Sequence, residues 1–153
     1  MKLKVEDVMV EDVVTIRADE TVLQAAKLMN KNEIGCLIVV RRDRAVGILT
    51  ERDLLKRIVS KSRDPKKTKV RQIMTKPLIA GHPNMDIEDA TRLMFDSKIK
   101  KLPVLEDGKL VGLVTLTDLV RYQPQMIRIL KEIASRHLEP PKRMQKVIDY
   151  YVI

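Results

Sequence analysis

The 153-residue chain is 44% hydrophobic and 33% charged, with a net charge of +9. That balance fits a globular protein, long enough for one sizeable domain or two small units sharing a core. No apolar run approaches the roughly 20 residues of a membrane span, and the charged start Met1-Lys2-Leu3-Lys4-Val5-Glu6-Asp7 lacks the apolar stretch of a secretion signal. Cys36 is the only cysteine, which excludes an internal disulfide and makes a reducing cytoplasm the expected compartment.

In chain order, residues 3–9 read as a short lead-in, followed by an extended segment, Val13-Val14-Thr15-Ile16. Val22, Ala25, Ala26 and Met29 have helical spacing, and Thr21 with Gln24 predicts a capping box at the helix start. Ile34 to Val40 is a continuous apolar run whose β-branched content predicts a buried strand, with Cys36 as a small buried hydrophobe. Arg41-Arg42-Asp43-Arg44 reads as a turn and Ala45 to Leu49 as the returning strand. From Asp53 a second helix is predicted, with Leu54, Leu55, Ile58 and Val59 on its apolar side. Ser60 to Lys69 is a linker broken by Pro65.

Residues 70–122 repeat this order. Gly47-Ile48-Leu49-Thr50-Glu51-Arg52-Asp53 returns 65 residues later as Gly112-Leu113-Val114-Thr115-Leu116-Thr117-Asp118, and the flanks match without a gap. Leu78-Ile79-Ala80 is the extended segment, Ile87, Ala90 and Met94 mark the helix, and Leu102 to Val114 forms the hairpin around Glu106-Asp107-Gly108-Lys109. Pro103, which lacks a backbone donor, predicts an edge or first-strand position. The repeat predicts burial of Ile34, Leu37, Val39 and Val46 and of their counterparts Ile99, Leu102, Val104 and Val111. Beyond Tyr122, Pro124 opens a further predicted helix with Ile127, Leu130, Ile133 and Ala134 on one face. Pro140-Pro141 stops it, and an apolar end, 147–153, follows.

The charge is unevenly spread. Residues 55–76 hold nine basic residues against one acid, Asp64, and so carry nearly the whole surplus. This stretch reads either as a solvated helix end and linker or as a basic patch for nucleic acid or another polyanion. An aromatic content of 3% argues against a base-stacking surface. His82 and His137 have no metal-ligand partners at helical spacing, so no metal site is expected. Neither a phosphate-binding Gly-rich loop nor a Gly-x-Ser-x-Gly motif occurs.

The repeated phrase ends a strand at Gly and opens a helix with Thr-x-x-Asp. Thr50 with Asp53, and Thr115 with Asp118, each make an ordinary capping box. The same groups suit a nucleotide: N–H groups at the helix start accommodate an anion, and a carboxylate accepts from a ribose diol. Capping and binding are both open on the local pattern.

Together with the paired runs Ile34-Gly35-Cys36-Leu37-Ile38-Val39-Val40 and Ile99-Lys100-Lys101-Leu102-Pro103-Val104-Leu105, and with Asp-Val-Met and Gln-Ile-Met at Met9 and Met74, the two phrases carry a resemblance. Residues 4–122 resemble a tandem pair of CBS domains, or Bateman module. The resemblance implies a mixed α+β fold of two β-α-β-β-α units related by a pseudo-twofold axis. Units at 4–60 and 70–122 flank a basic linker at 61–69, and a helical extension occupies 123–153. It implies adenosyl ligands (AMP, ADP, ATP or an S-adenosyl compound) in two clefts between the units, with no required cofactor. The first cleft would take Thr115, Thr117 and Asp118, Lys100 and Lys101 for phosphate, and the backbone near Thr15, Gly35 and Cys36 for adenine. The second would take Thr50, Arg52 and Asp53 with Ile79, Ala80 and Lys101. Its two adjacent lysines make the first cleft the preferred site. The expected protein is a stand-alone regulatory module, not an enzyme, which signals by conformational change, associates into homodimers and acts on a protein partner. The alternatives are a nucleic-acid-binding protein using 55–76 and a structural assembly domain with empty clefts.

Overall fold

The computed structural model describes residues 3–122 together with 128, 131, 132 and 135. The first half runs α1 (Val5–Val8), β1 (Thr15–Arg17), α2 (Val22–Asn32), β2 (Cys36–Arg41), β3 (Arg44–Thr50) and α3 (Glu51–Leu54), which continues as a π-helical turn, Leu55–Val59. The second runs α4 (Val70–Ile73), α5 (Ile87–Asp96), β4 (Lys101–Glu106), β5 (Lys109–Thr115) and α6 (Leu116–Tyr122). The fold is mixed α+β, as expected.

Local chemistry places these elements. Thr21 Oγ1 accepts from the Gln24 N–H, and Gln24 Oε1 accepts from the Thr21 N–H, so both ends of the predicted box are made at the start of α2. Each hairpin turns on two residues of positive φ: Arg42 and Asp43 in the first, Asp107 and Gly108 in the second. Such turns match the twist of the strands they join. The hairpins share one register, with Leu37 opposite Leu49 and Leu102 opposite Val114.

The third strand is where the halves differ. β1 runs parallel to β2, with Ile16 opposite Val39. At the corresponding place the predicted segment Leu78–Ala80 is not a strand, and pairing shrinks to one bridge between Gly81 and Val104. Prolines account for this. In the first half, the Ile38 N–H donates to the Val14 carbonyl and the Ala18 N–H to the Val40 carbonyl. The counterparts of Ile38 and Ala18 are Pro103 and Pro83, which have no N–H to give. Pro103 therefore leaves β4 with β5 on one side and a single bridge on the other.

Two apolar clusters form the interior, and each is completed by the other half. Val5 and Val8 of α1 pack with Ile87, Ala90, Met94, Leu102, Val104, Val114 and Leu119. Val70 and Ile73 of α4 pack with Val22, Ala25, Met29, Leu37, Val39 and Leu49. The hydrogen bonds follow the same exchange: Val5 N–H donates to Met85, and Val70 N–H to Glu20. Val10 and Leu113 exchange a pair of 2.9 Å bonds, mirrored by Thr75 and Ile48 at 2.8 and 3.1 Å. The pseudo-twofold relation is thus written into the backbone pairing as well as into the sequence.

Burial departs from expectation in two places. Leu37, Val39, Leu102 and Val104 are fully buried, whereas Ile34, Val46, Ile99 and Val111 are half-buried and pack against the clusters from their margins. On the helix after Asp53, Ile58 is buried and Leu54 half-buried, but Leu55 and Val59 are 63% and 67% exposed. The Ser60 N–H reaches back five residues to Leu55, a wider turn that ends regular α geometry and leaves these two facing solvent.

The repeated glycine has a packing reason. Met9, from the lead-in of the first half, lies across Gly112 of β5, and a Cβ there would stand 2.8 Å from Met9 Cγ. Met74 covers Gly47 in the same way, 2.7 Å from Sδ. Gly112→Ala is expected to cost roughly 1–3 kcal/mol through overpacking. Adding Met9→Ala should recover part of that loss in urea unfolding, because the two positions share one contact. Strict additivity would show that the contact is not what constrains the glycine.

Arg128, Lys131, Glu132 and Ser135 are helical and exposed. The rest of the predicted C-terminal helix, its stop at Pro140-Pro141, His137 and the apolar end 147–153 lie outside the described residues.

Candidate functional site

Both copies of Thr-x-x-Asp close a capping box. Asp53 Oδ2 accepts from the Thr50 N–H at 3.0 Å and Thr50 Oγ1 from the Asp53 N–H at 3.2 Å. Asp118 and Thr115 make the same pair, each at 3.1 Å. The carboxylates are buried, with residue exposures of 6% for Asp53 and 9% for Asp118.

The copies part at the second oxygen. Asp53 Oδ1 accepts from the Thr75 hydroxyl at 2.9 Å and faces Arg57 Nη1 at 3.9 Å. That guanidinium is anchored on the Ile73 and Met74 carbonyls at 2.7 and 3.0 Å. Thr75 therefore stands where a ligand hydroxyl would have to bind, and Asp53 is already satisfied by the chain. In the same register Thr75 is replaced by Val10 and Arg57 by Tyr122. Val10 has no hydroxyl to offer, and Asp118 Oδ1 makes no hydrogen bond among the described residues.

Asp118 opens into a cleft of about 250 Å³ between the halves. Val10, Asp12, Val13 and Val14 line it from the lead-in, Ile34, Cys36 and Ile38 from the first hairpin, and Lys101, Leu113, Thr115 and Asp118 from the second half. Seven of these eleven residues are apolar, which suits a flat heterocycle with a few fixed polar contacts. A larger groove, about 290 Å³, is lined by Thr15, Ile16, Arg17, Glu20, Gln24 and Leu28. It is more open, and its Glu20 already pairs with Arg17. The Asp118 cleft is the candidate site.

Of the residues assigned to the first cleft by resemblance, the structure brings together Cys36, Lys101, Thr115 and Asp118. Gly35 is adjacent: a Cβ on it would stand 3.6 Å from Lys101 Nζ and 3.2 Å from Glu51 Oε1. Lys100 and Thr117 are exposed and do not line the cleft, and Thr15 lines the other groove. Around Asp53, Thr50 is in the cap, Arg52 is exposed, Ile79 is 39% exposed and Ala80 is half-buried, while Lys101 lines the other cleft. Asp12 and Glu51 were not among the expected residues. The signal present in the sequence is that they break the repeat, with Pro77 and Leu116 in their register positions.

The basic stretch is divided. Arg57 turns inward onto the Ile73 and Met74 carbonyls, whereas Arg71 pairs with Asp19 at the surface. Lys61, Arg63, Lys66 and Lys67 are exposed on a loop fastened to the start of α2 by Val22 and Leu23 N–H bonds to Thr68 and Pro65. Among the described residues no group of three or more His, Cys, Asp or Glu is placed to hold a metal, and no helix is long and apolar enough to cross a membrane.

The sequence model of the CBS domain matches residues 5–60 and 70–125. The chain belongs to the CBS-domain family. The CBS domain-containing protein YhcV of Bacillus subtilis is 38% identical over 115 residues, covering 75% of this chain and 81% of its own. Among solved structures, the conserved CBS domain protein TA0289 from Thermoplasma acidophilum superposes with a TM-score of 0.76 at 31% identity, covering 90% of this chain and 77% of its own. The CBS domain pair of MJ0100, solved in complex with 5′-methylthioadenosine and S-adenosyl-L-methionine, gives 0.71 at 27% identity, with coverages of 80% and 96%.

Proposed function

We propose that this CBS pair is a regulatory module, not an enzyme, and that it binds one adenosyl ligand per chain in the Asp118 cleft. A single observation carries the reading: Asp118 is nine-tenths buried, its Oδ1 has no hydrogen-bond partner among the described residues, and it opens into a mostly apolar cleft. A ribose diol would supply the missing donors, with the adenine against Val13, Val14, Ile34 and Ile38. Lys101 faces the 5′ end of the ligand. The ligand touches both halves, so it stabilises the arrangement in which they close on it. A difference in affinity between two arrangements is what a partner, or a second copy of the chain, would sense. The solvent-facing Leu55 and Val59 offer apolar surface for such association. The units at 4–60 and 70–122 act as one body in this scheme, with 61–69 as connector and 123–153 as extension.

Calorimetric titration with AMP, ADP, ATP and S-adenosylmethionine tests the reading. At least one should bind saturably with a stoichiometry of one. No heat and no thermal shift from any of them would leave an assembly domain with empty clefts. Thr75→Val separates the two copies. Removing the hydroxyl that satisfies Asp53 should cost about 1 kcal/mol of stability, with ligand affinity unchanged. A drop in affinity would show that ligand binds at Asp53.

A further inference from the structure

We infer that the Asp118 cleft selects an adenosyl ligand whose 5′ substituent is a thioether or sulfonium, and discriminates against 5′-phosphates. The inference rests on the adenosyl reading of the cleft and adds the charge that its ligand must carry.

Four side chains set that charge. Asp118, Asp12 and Lys101 line the cleft. Glu51 stands at the rim, where its carboxylate and the Lys101 ammonium converge on Gly35. Three acids against one base leave a negative surplus around a largely apolar space. A phosphate entering here meets one cation and is repelled by the remaining carboxylates. A sulfonium is drawn to those carboxylates, and the carboxylate of its amino-acid tail pairs with Lys101. A neutral thioether is accepted by the apolar walls. The register shows that these acids belong to this cleft and not to the repeat: the positions equivalent to Asp12 and Glu51 are Pro77 and Leu116. Asp118, a nine-tenths buried residue whose Oδ2 is held by the Thr115 N–H while its Oδ1 has no hydrogen-bond partner among the described residues, is the independent mark that a ligand donor belongs in this space.

The test is calorimetry on the full chain with four probes: S-adenosylmethionine, 5′-methylthioadenosine, AMP and ATP. At low ionic strength S-adenosylmethionine should bind about tenfold or more tightly than AMP or ATP, since like-charge contacts disfavour the wrong partner. The gap should narrow in high salt, because Asp12 and Glu51 are exposed and screened. The double variant Asp12→Asn, Glu51→Gln should bring AMP within about threefold of S-adenosylmethionine, with the far-ultraviolet spectrum unchanged. AMP or ATP binding as tightly as the sulfonium overturns the inference but leaves the adenosyl reading standing. So does a preference that the double variant fails to move. Binding of none of the four probes overturns the adenosyl reading itself.

Discussion

Asp118→Ala is expected to weaken binding of the adenosyl ligand roughly thirtyfold to a thousandfold, the equivalent of losing about 2–4 kcal/mol of charge-assisted hydrogen bonding to a ribose. The residue also caps α6 through the Thr115 N–H, so about 1 kcal/mol of stability should go with it. Asp53→Ala is the control. It removes the same cap and, in addition, the acceptor for Thr75, so it should cost at least as much stability. Affinity should nevertheless stay within about threefold of the parent, since the lost groups serve the fold and not the ligand. Calorimetry and urea unfolding on both variants separate the two roles. Full affinity in a folded Asp118→Ala protein would return the motif to an ordinary helix cap. Equal losses in both variants would place ligand at both copies.

Ile73→Ala is expected to destabilise the protein by roughly 2–5 kcal/mol, the range for deleting a fully buried aliphatic side chain. Ile73 is 0% exposed, yet it belongs by sequence to the lead-in of the second half and packs in the core of the first. The loss should appear as a lower urea midpoint with an unchanged slope, the mark of one cooperative body. A second transition, or a cost near zero, would contradict the exchange of lead-in segments.

Much of this arrangement is legible in the chain. The gapless 65-residue register, the capping pair Thr21–Gln24, the turn at Asp107–Gly108 and the buried runs at 37–39 and 102–104 are local or periodic, and local physics sets them. The exchange of α1 and α4 is not local. Val5 and Val70 hold matching positions in near-identical surroundings, and spacing cannot say which of two similar cores receives each. The asymmetry between the clefts was visible only as mismatches: Val10 against Thr75, Asp12 against Pro77, Glu51 against Leu116. Their meaning depends on which carboxylate each one meets, a fact of packing. The outward turn of Leu55 and Val59 was missed for another reason. The apolar pattern there fits a regular helix, and the wide turn that redirects it leaves no mark in composition.

The exchange of lead-in segments also orders events during synthesis. The first cluster is complete once Met74 has been made, because every described member lies between Val14 and Met74. The helix α1, among the first described residues to be made, finds its neighbours between Met85 and Leu119. Closing that long loop is what the last step of folding must accomplish. Until the second half emerges, Val5 and Val8 have no core to enter, and the cleft beside Val10 has no far wall. The binding site is therefore finished last, and a chain broken off just after Met74 holds every described member of the first core but has nothing with which to grip a ligand.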